Sequence, residues 1–573
     1  MIWKLLVAAL LLLPATLQQP EPTVRIGLGQ NAATVTVRSS EEFRVQGQLT
    51  KTAKFTPVLS VGDAADGTVI GREQLRYRMT VELDNSRFLV APLTTRVRIQ
   101  PAGRQPSARL QFNDRTYRGV LEVFGNSRNT FTIVNELPLE EYLLGVVPNE
   151  LSPLTFGQIE ALKAQAVAAR TYIIKNMGQS KAEGYDICDT DACQVYFGSG
   201  TEDPLATQAV TETRGIVATY NGQPITALYS STCGGRTESS ENIFGEKLPY
   251  LTSVMCVYKH PEPKAFSTRR NITDYKAAVL AVAGVSNFTQ LRKFLGLPGT
   301  GEPPSTNLPQ LAKFVREGFY PGVKVASDLD FLVEQDILPS TGNVNRSEVL
   351  YRLIDKKGSF EWQQGVLNSW DGTTMVLAVG GKPTQFRISP DAPIFFRMGE
   401  ERTAMTQGNW IGGELFEFRA TDGVIQMAVY RRNFVNATSD RYSRLALWQV
   451  HKNKQEIETA FRPLNIGEVR SLRVLERGAS ERPISTEIVG TRGRTTVRAL
   501  RLRTLLALRD SMFYFDEERN AQGDLIGMTF YGTGWGHGVG MCQVGAFGMA
   551  MDGATYEQIL KTYYTGIDLR KMF

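Results

Sequence analysis

Histidine and cysteine are the scarce residues of this 573-residue chain: three of the first (His260, His451, His537) and five of the second (Cys188, Cys193, Cys233, Cys256, Cys542). Three scattered histidines exclude a histidine-built metalloenzyme, and five cysteines over this length exclude a small disulfide scaffold. A strong charge excess is missing too. The 64 Lys and Arg residues outnumber the 58 Asp and Glu residues by six, too few and too evenly spread for a nucleic-acid binder. Glycine and proline, at 52 and 26 residues, stay near ordinary levels, so collagen-like and wholly disordered chains are excluded. What remains is a globular composition, 42% hydrophobic and 21% charged. The length suggests about four domains at roughly 150 residues each.

Long apolar runs are absent beyond the first residues. Met1-Ile2-Trp3-Lys4 leads into the apolar run Leu5–Leu13, then Pro14. One positive charge before such a run predicts a secretory signal peptide over 1–19, and the run is well short of the about 20 apolar residues of a bilayer span. Ala15-Thr16-Leu17 is not a clean cleavage triplet, so an uncleaved anchor is the alternative. No other transmembrane segment is expected. The protein is expected to be exported, periplasmic or wall-associated, where cysteines can oxidise.

From Thr23 to about Arg128 short alternating runs such as Thr34-Val35-Thr36-Val37 and Arg96-Val97-Arg98-Ile99 are punctuated by Gly, Asn, Asp and Pro, which predicts an all-β module. Helical spacing follows. Leu139, Tyr142, Leu143 and Val146 form one apolar face, with Pro138 at the start and Pro148 as terminator. Thr155 and Gln158 have capping-box spacing before the stripe Ile159, Leu162, Ala166, Ala169, Ile173, with Gly178 as a stop. Strands and loops then continue to about Val257. Thr273–Leu295 and Ser347–Lys356 read as helices around a Pro/Gly/Ser linker at 296–309, and 375–430 reads as β-rich. Strands resume at Gly467, Val497–Leu508 reads as helix, and a second Thr-x-x-Gln cap opens a helix over 555–564.

Three groups of residues can carry chemistry. Glu150 lies in Val147-Pro148-Asn149-Glu150-Leu151-Ser152-Pro153, a link between helices that can hold a carboxyl at the lip of a cleft. Apolar neighbours can raise such a carboxyl's pKa toward general-acid use, whereas the plain alternative is a helix-capping or solvated glutamate. The second group is Gly532-Thr533-Gly534-Trp535-Gly536-His537-Gly538-Val539-Gly540. Its glycines allow close backbone approach to a ligand, Trp535 can face a sugar ring, and His537 can donate a hydrogen bond or a proton. The alternative is a tight structural turn. It does not fit the dinucleotide-binding glycine pattern. The third group is the cysteines. Cys188 with Cys193, and Cys233 with Cys256, read either as two disulfides or as a four-thiolate zinc site, leaving Cys542 as a buried free thiol.

Taken together, these motifs resemble the stage II sporulation protein D / amidase enhancer (SpoIID/LytB) family. The resemblance rests on Asn135–Tyr142 through Glu150, Ala161–Ala166 to Ala169–Tyr172, and Cys193-Gln194-Val195-Tyr196. It also rests on Ser231-Thr232-Cys233-Gly234-Gly235 and Gly536–Gln543. It implies an α+β fold whose catalytic domain (131–257 and 467–573) is split by a long insertion (258–466) and preceded by the all-β module (20–130). It further implies a peptidoglycan lytic transglycosylase acting on glycan strands, with Glu150 as general acid and base. One carboxyl protonates the glycosidic oxygen, and its carboxylate then takes the proton of the muramic acid's primary hydroxyl as an anhydro ring closes. No second carboxylate nucleophile is needed. Arg170, Gln194, Tyr196, Trp535, His537 and Gln543 would line the cleft. No cofactor is required for the chemistry. A structural zinc on Cys188, Cys193, Cys233 and Cys256 is open against disulfides, because Ser230 and Ala192 stand where the family commonly carries histidine. The enhancer branch implies a different role, a non-catalytic wall-binding stimulator of a cell-wall amidase.

Overall fold

The computed structural model describes residues 20–61, 75–84, 87–103, 108–258 and 264–267, isolated positions between 313 and 334, and 361–573 with short breaks at 390–391, 399–400, 406, 411–413, 432–437, 446–447 and 521–523. The expected signal segment, the 296–309 linker and the expected helices at 273–295 and 347–356 lie outside the described residues. The chain is mixed α and β, and it divides into two compact units, 1–227 with 567–573 and 228–566.

The first unit is built on an 11-stranded sheet. Its main path runs Ile187–Cys188, Thr23–Ala32, Phe131–Pro138, Val120–Gly125, Val97–Pro101, Val35–Val45, Gln48–Val61, Leu75–Leu83, Arg87–Pro92. The period-two alternation is the cause. Val35, Val37, Val97 and Ile99 are all fully buried while Arg98 between the last two faces water, as a half-buried strand requires. No helix occurs among the described residues from 20 to 130. The sheet nevertheless extends past residue 130, because Phe131–Pro138 pairs with both Thr23–Ala32 and Val120–Gly125.

From that strand the chain enters helices. Leu139, Tyr142, Leu143 and Val146 are fully buried, as their spacing predicts. The helix Leu139–Leu144 ends at Gly145 rather than at Pro148, and position 145 requires glycine because a Cβ there would strike the Tyr196 ring at 2.7 Å. Pro148 instead occupies the first turn of a separate short helix, Val147–Glu150, a position that needs no backbone N–H. A further turn, Pro153–Phe156, takes up Thr155. The expected Thr155–Gln158 capping box therefore does not form, and the long helix Ile159–Asn176 starts from Gln158 without a side-chain cap. That helix is buried on nearly every face, from Ala161 through Ile173. Alanines at 161, 164, 166, 168 and 169 let neighbours approach on all sides. The C-terminal strand Asp568–Lys571 pairs with Ile216–Tyr220 in the same unit.

In the second unit seven strands between Gln363 and Arg431 form one sheet. Pairing of Lys382–Ile388 with Val424–Arg431 closes five of them into a ring. Its core of Met375, Leu377, Ile394, Phe416, Phe418 and Trp410 also takes in Met512, Tyr514 and Tyr531. The expected insertion and the expected second catalytic segment thus share one hydrophobic core. A neighbouring cluster packs the helix Lys454–Phe461 against the sheet holding Trp448–Asn453, Phe513–Arg519 and Leu525–Gly532. The helix expected over 497–508 runs Ala499–Leu505. The last helix, Tyr556–Tyr563, has the predicted reciprocal cap between Thr555 and Gln558.

Candidate functional site

Glu150 closes the helical turn Val147–Glu150, whose Val147 and Pro148 are buried and so fix the turn against the core. Its side chain is half-buried. The backbone N–H of Val195 donates to Glu150 Oε1 at 2.8 Å, which orients the carboxyl from a second chain segment. Val195 is itself positioned by the loop before it, where Cys188 and Cys193 form a disulfide. Behind the carboxyl stand tyrosines. Burial raises the pKa of Tyr142 well above the usual range, and the nearby Glu150 carboxylate adds to it; Tyr172 is raised by the same two causes. Both phenols therefore stay protonated beside Glu150 near neutral pH.

The same inner wall holds three residues expected to touch substrate. Arg170 is fully buried and grips Glu140 through two parallel bonds, Nε to Oε1 at 2.7 Å and Nη2 to Oε2 at 2.8 Å. It also donates to the Ile216 carbonyl at 3.1 Å. Gln194, fully buried, donates to the Ala169 carbonyl at 3.1 Å and accepts from Tyr142 Oη at 3.1 Å. Tyr196 donates to Asn135 Oδ1 at 2.8 Å and packs on Tyr142 with ring centroids 5.0 Å apart. These side chains brace the site from within and have no solvent-facing surface to offer a glycan.

Asp189 was not singled out by any motif. Burial raises its pKa to about 6, with Arg115 pulling the other way. It lies inside the disulfide loop and, like Glu150, acts electrostatically on Tyr142. No spacing rule marks it, since its environment comes from strand Arg115–Tyr117.

In the second unit the glycine-rich run makes a sharply turned loop, with positive φ at Gly534, Gly536, Gly538 and Gly540. Those turns are enforced by close approach, since a Cβ at Gly536 would meet Ser230 Cβ at 2.7 Å. Trp535 pairs by backbone with Thr232 and leaves 42% of its surface exposed beside Arg509, whose guanidinium lies 5.5 Å from the ring centroid. His537 Nδ1 accepts from the Val539 N–H at 3.1 Å, and its ring meets Phe244 edge-on at 5.3 Å. Burial lowers its pKa to about 4, so the ring is neutral near pH 7 and supplies no ready proton. Gln543 is buried at the first position of the helix Gln543–Met551.

The cysteines regroup. Cys188 and Cys193 are bonded to each other, so neither offers a thiolate and the expected four-cysteine zinc set does not exist. Cys233, Cys256 and Cys542 are free and fully buried. Their sulfurs and an Asp440 carboxylate oxygen all lie within 4.8 Å of one another. Cys542 is therefore not a stray thiol, and Asp440 was invisible to spacing because it comes from the expected insertion. Burial would raise the Cys542 pKa, but hydrogen bonds from the Cys233 and Cys256 thiols bring it down to about 6. Burial holds Cys233 and Cys256 well above the ordinary thiol value.

The strand-to-helix unit with its half-buried, backbone-oriented glutamate falls inside a recognised domain. Residues 127–220 match the family model described as stage II sporulation protein (SpoIID), so the chain carries a domain of the SpoIID/LytB family. Residues 422–540 match a domain of unknown function, DUF8618. The chain is 41% identical over 151 residues to stage II sporulation protein D of Bacillus subtilis, covering 24% of this chain and 43% of that one. It is 41% identical over 156 residues to the amidase enhancer of Bacillus subtilis, 27% of this chain and 21% of that one. An uncharacterized protein of Brachyspira hyodysenteriae is 45% identical over 130 residues, 22% of this chain and 34% of that one. The chain thus spans less than half the length of these relatives. Among the described residues no helix is long and apolar enough to cross a membrane.

Proposed function

We propose that this is an exported cell-wall protein that cleaves peptidoglycan glycan strands as a lytic transglycosylase, with Glu150 as the single general acid and base. The observation that carries the reading is the hydrogen bond from the Val195 N–H to Glu150 Oε1 at 2.8 Å. It holds a half-buried carboxyl in one orientation, which supports a role in proton transfer because an acid–base group must be positioned before it can act on a bound substrate. The carboxyl gives its proton to the glycosidic oxygen as the glycosidic bond breaks. The resulting carboxylate then removes the proton from the muramic acid's own primary hydroxyl, whose oxygen bonds to the anomeric carbon and closes the anhydro ring. The carboxyl returns protonated, and no water is consumed.

In this reading Arg170, Gln194 and Tyr196 position Glu150 and its backing tyrosines, and Trp535 offers its exposed face to a sugar in the second unit. Glu150→Gln should abolish release of anhydro-muramic ends from purified glycan strands while leaving the fold intact. Cleavage by that variant at the wild-type rate would remove Glu150 from the mechanism.

A second reading follows from the likeness to an amidase enhancer. There the chain binds the wall and stimulates a partner amidase without cutting glycan. Stimulation that survives Glu150→Gln, with no cleavage by the unaltered protein, would select it.

A further inference from the structure

The three free thiols and Asp440 converge from four separate parts of the second unit. Cys233 comes from the loop after strand Tyr229–Ser230, and Cys256 from the extended segment after Leu251. Asp440 comes from the turn Ser439–Tyr442, and Cys542 is the N-cap of the helix Gln543–Met551. All four side chains are fully buried or nearly so. Four ligand atoms within 4.8 Å of one another need only small shifts to surround an ion with sulfur at about 2.3 Å and oxygen at about 2.0–2.2 Å.

The surroundings suit thiolates. Cys542 Sγ accepts from the backbone N–H groups of Cys233 and Gly545, both at 3.2 Å. Tyr563 Oη lies 3.1 Å from Cys256 Sγ. The Asp440 carboxylate is oriented by Gly235 N–H at 2.9 Å and Thr438 Oγ1 at 2.6 Å. Such outer partners orient ligands and balance their charge. Space is reserved as well. A Cβ at Gly545 would come within 3.0 Å of Cys542 Sγ, and Gly548 has no room for one against Ser439, so the helix can lie directly on the Asp440 turn.

The geometry points to a closed, tetrahedral zinc(II) site formed by Cys233, Cys256, Cys542 and Asp440. Three thiolates and one carboxylate match zinc's ligand preference and disfavour magnesium or calcium, which take oxygen. With four protein ligands and no solvent-facing position, the ion would be structural. Binding displaces to solvent whatever protons the three cysteines still carry, while the metal keeps its oxidation state. The ion would pin the Ser231–Gly235 loop, which backs Trp535, to the helix following the glycine-rich run. This site is independent of the glycan-cleavage reading.

The test uses the full chain purified without chelator. Elemental analysis should find one zinc per chain, and replacement by cobalt(II) should give the intense visible bands of a tetrahedral site with near-ultraviolet thiolate charge transfer. Alkylation should spare Cys233, Cys256 and Cys542 until a chelator is added, whereas Cys188 and Cys193 remain unlabelled throughout. Cys542→Ser and Asp440→Asn should each weaken zinc retention against a chelator at least tenfold. Cys188→Ser with Cys193→Ser should leave it unchanged. Zinc held equally well by Cys542→Ser, a Cys233–Cys256 disulfide in peptide maps of the unreduced protein, or no tetrahedral cobalt spectrum after reduction would each overturn the site. The cobalt and alkylation readouts use the unaltered chain, so they decide the question even where a variant misfolds.

Discussion

Arg170 decides whether the wall behind Glu150 is a brace or a substrate-binding surface. Its guanidinium is 0% exposed and its partner Glu140 carboxylate 7% exposed. The pair joins the helix Leu139–Leu144 to the long helix and, through Ile216 and Val210, to the following helix and strand. Arg170→Met leaves that carboxylate buried without its cation, although the Gly215 N–H still donates to it at 3.2 Å. Breaking a buried pair from one side costs about 3–5 kcal/mol. For a unit of this size that is roughly a 6–20 °C fall in its melting temperature. Glu140→Met should do similar damage by stranding the guanidinium. The double substitution should be no worse than either single change, because the charges leave together and an apolar pair refills the space. Calorimetry of the first transition, with hydrogen exchange across 159–176, reads all three variants. Losses under about 1 kcal/mol for both single variants, or additive losses in the double variant, would refute the reasoning. Weakened glycan binding with full stability would put Arg170 in substrate contact instead.

Other consequences are open to measurement. His537 has a folded pKa of about 4 against an ordinary 6.5, so the unfolded chain takes up its proton first as pH falls. The stability it contributes is complete above about 6.5 and is lost toward pH 4, and His537→Gln should flatten that part of a melting-temperature profile. A profile unchanged by the substitution would show that the ring titrates normally. Cys188→Ser with Cys193→Ser should cost roughly 2 kcal/mol, as expected for so short a loop, and should slow glycan cleavage further by loosening the Val195 N–H; unchanged cleavage kinetics would contradict the positioning role. Gly545→Ala should destabilise the second unit by about 1–3 kcal/mol through overpacking and expose its thiols to alkylation, read by mass spectrometry. Trp535→Ala should cost about 1–3 kcal/mol of stability, since more than half of its surface is buried, and should weaken sedimentation with purified glycan strands at temperatures where the variant is fully folded.

Local patterns were legible in the sequence where the structural cause is local. Val35, Val37, Val97 and Ile99 alternate and are buried, and the Thr555–Gln558 cap forms as written. The identical-looking Thr155–Gln158 pair fails because Pro153 starts its own turn and removes Thr155 from the cap position. Spacing could place Arg170 on a helix but could not tell which way it faces, since that helix is buried almost all round. The thiol cluster was the least legible feature. Cys542 lies 286 positions from Cys256 along the chain, and Asp440 sits in a segment without any motif. Only the fold brings them to one point. The hydrogen bond that orients Glu150 comes from the backbone of Val195, and a backbone donor leaves no trace in side-chain identity.

The most direct test of the central claim is mass analysis of products from purified, peptide-free glycan strands incubated with the full chain and with Glu150→Gln. The account predicts fragments ending in anhydro-muramic acid, each lighter by one water than a hydrolytic product, from the unaltered protein, and none from the variant. Fragments with reducing muramic ends, or equal release of anhydro ends by Glu150→Gln, would contradict it.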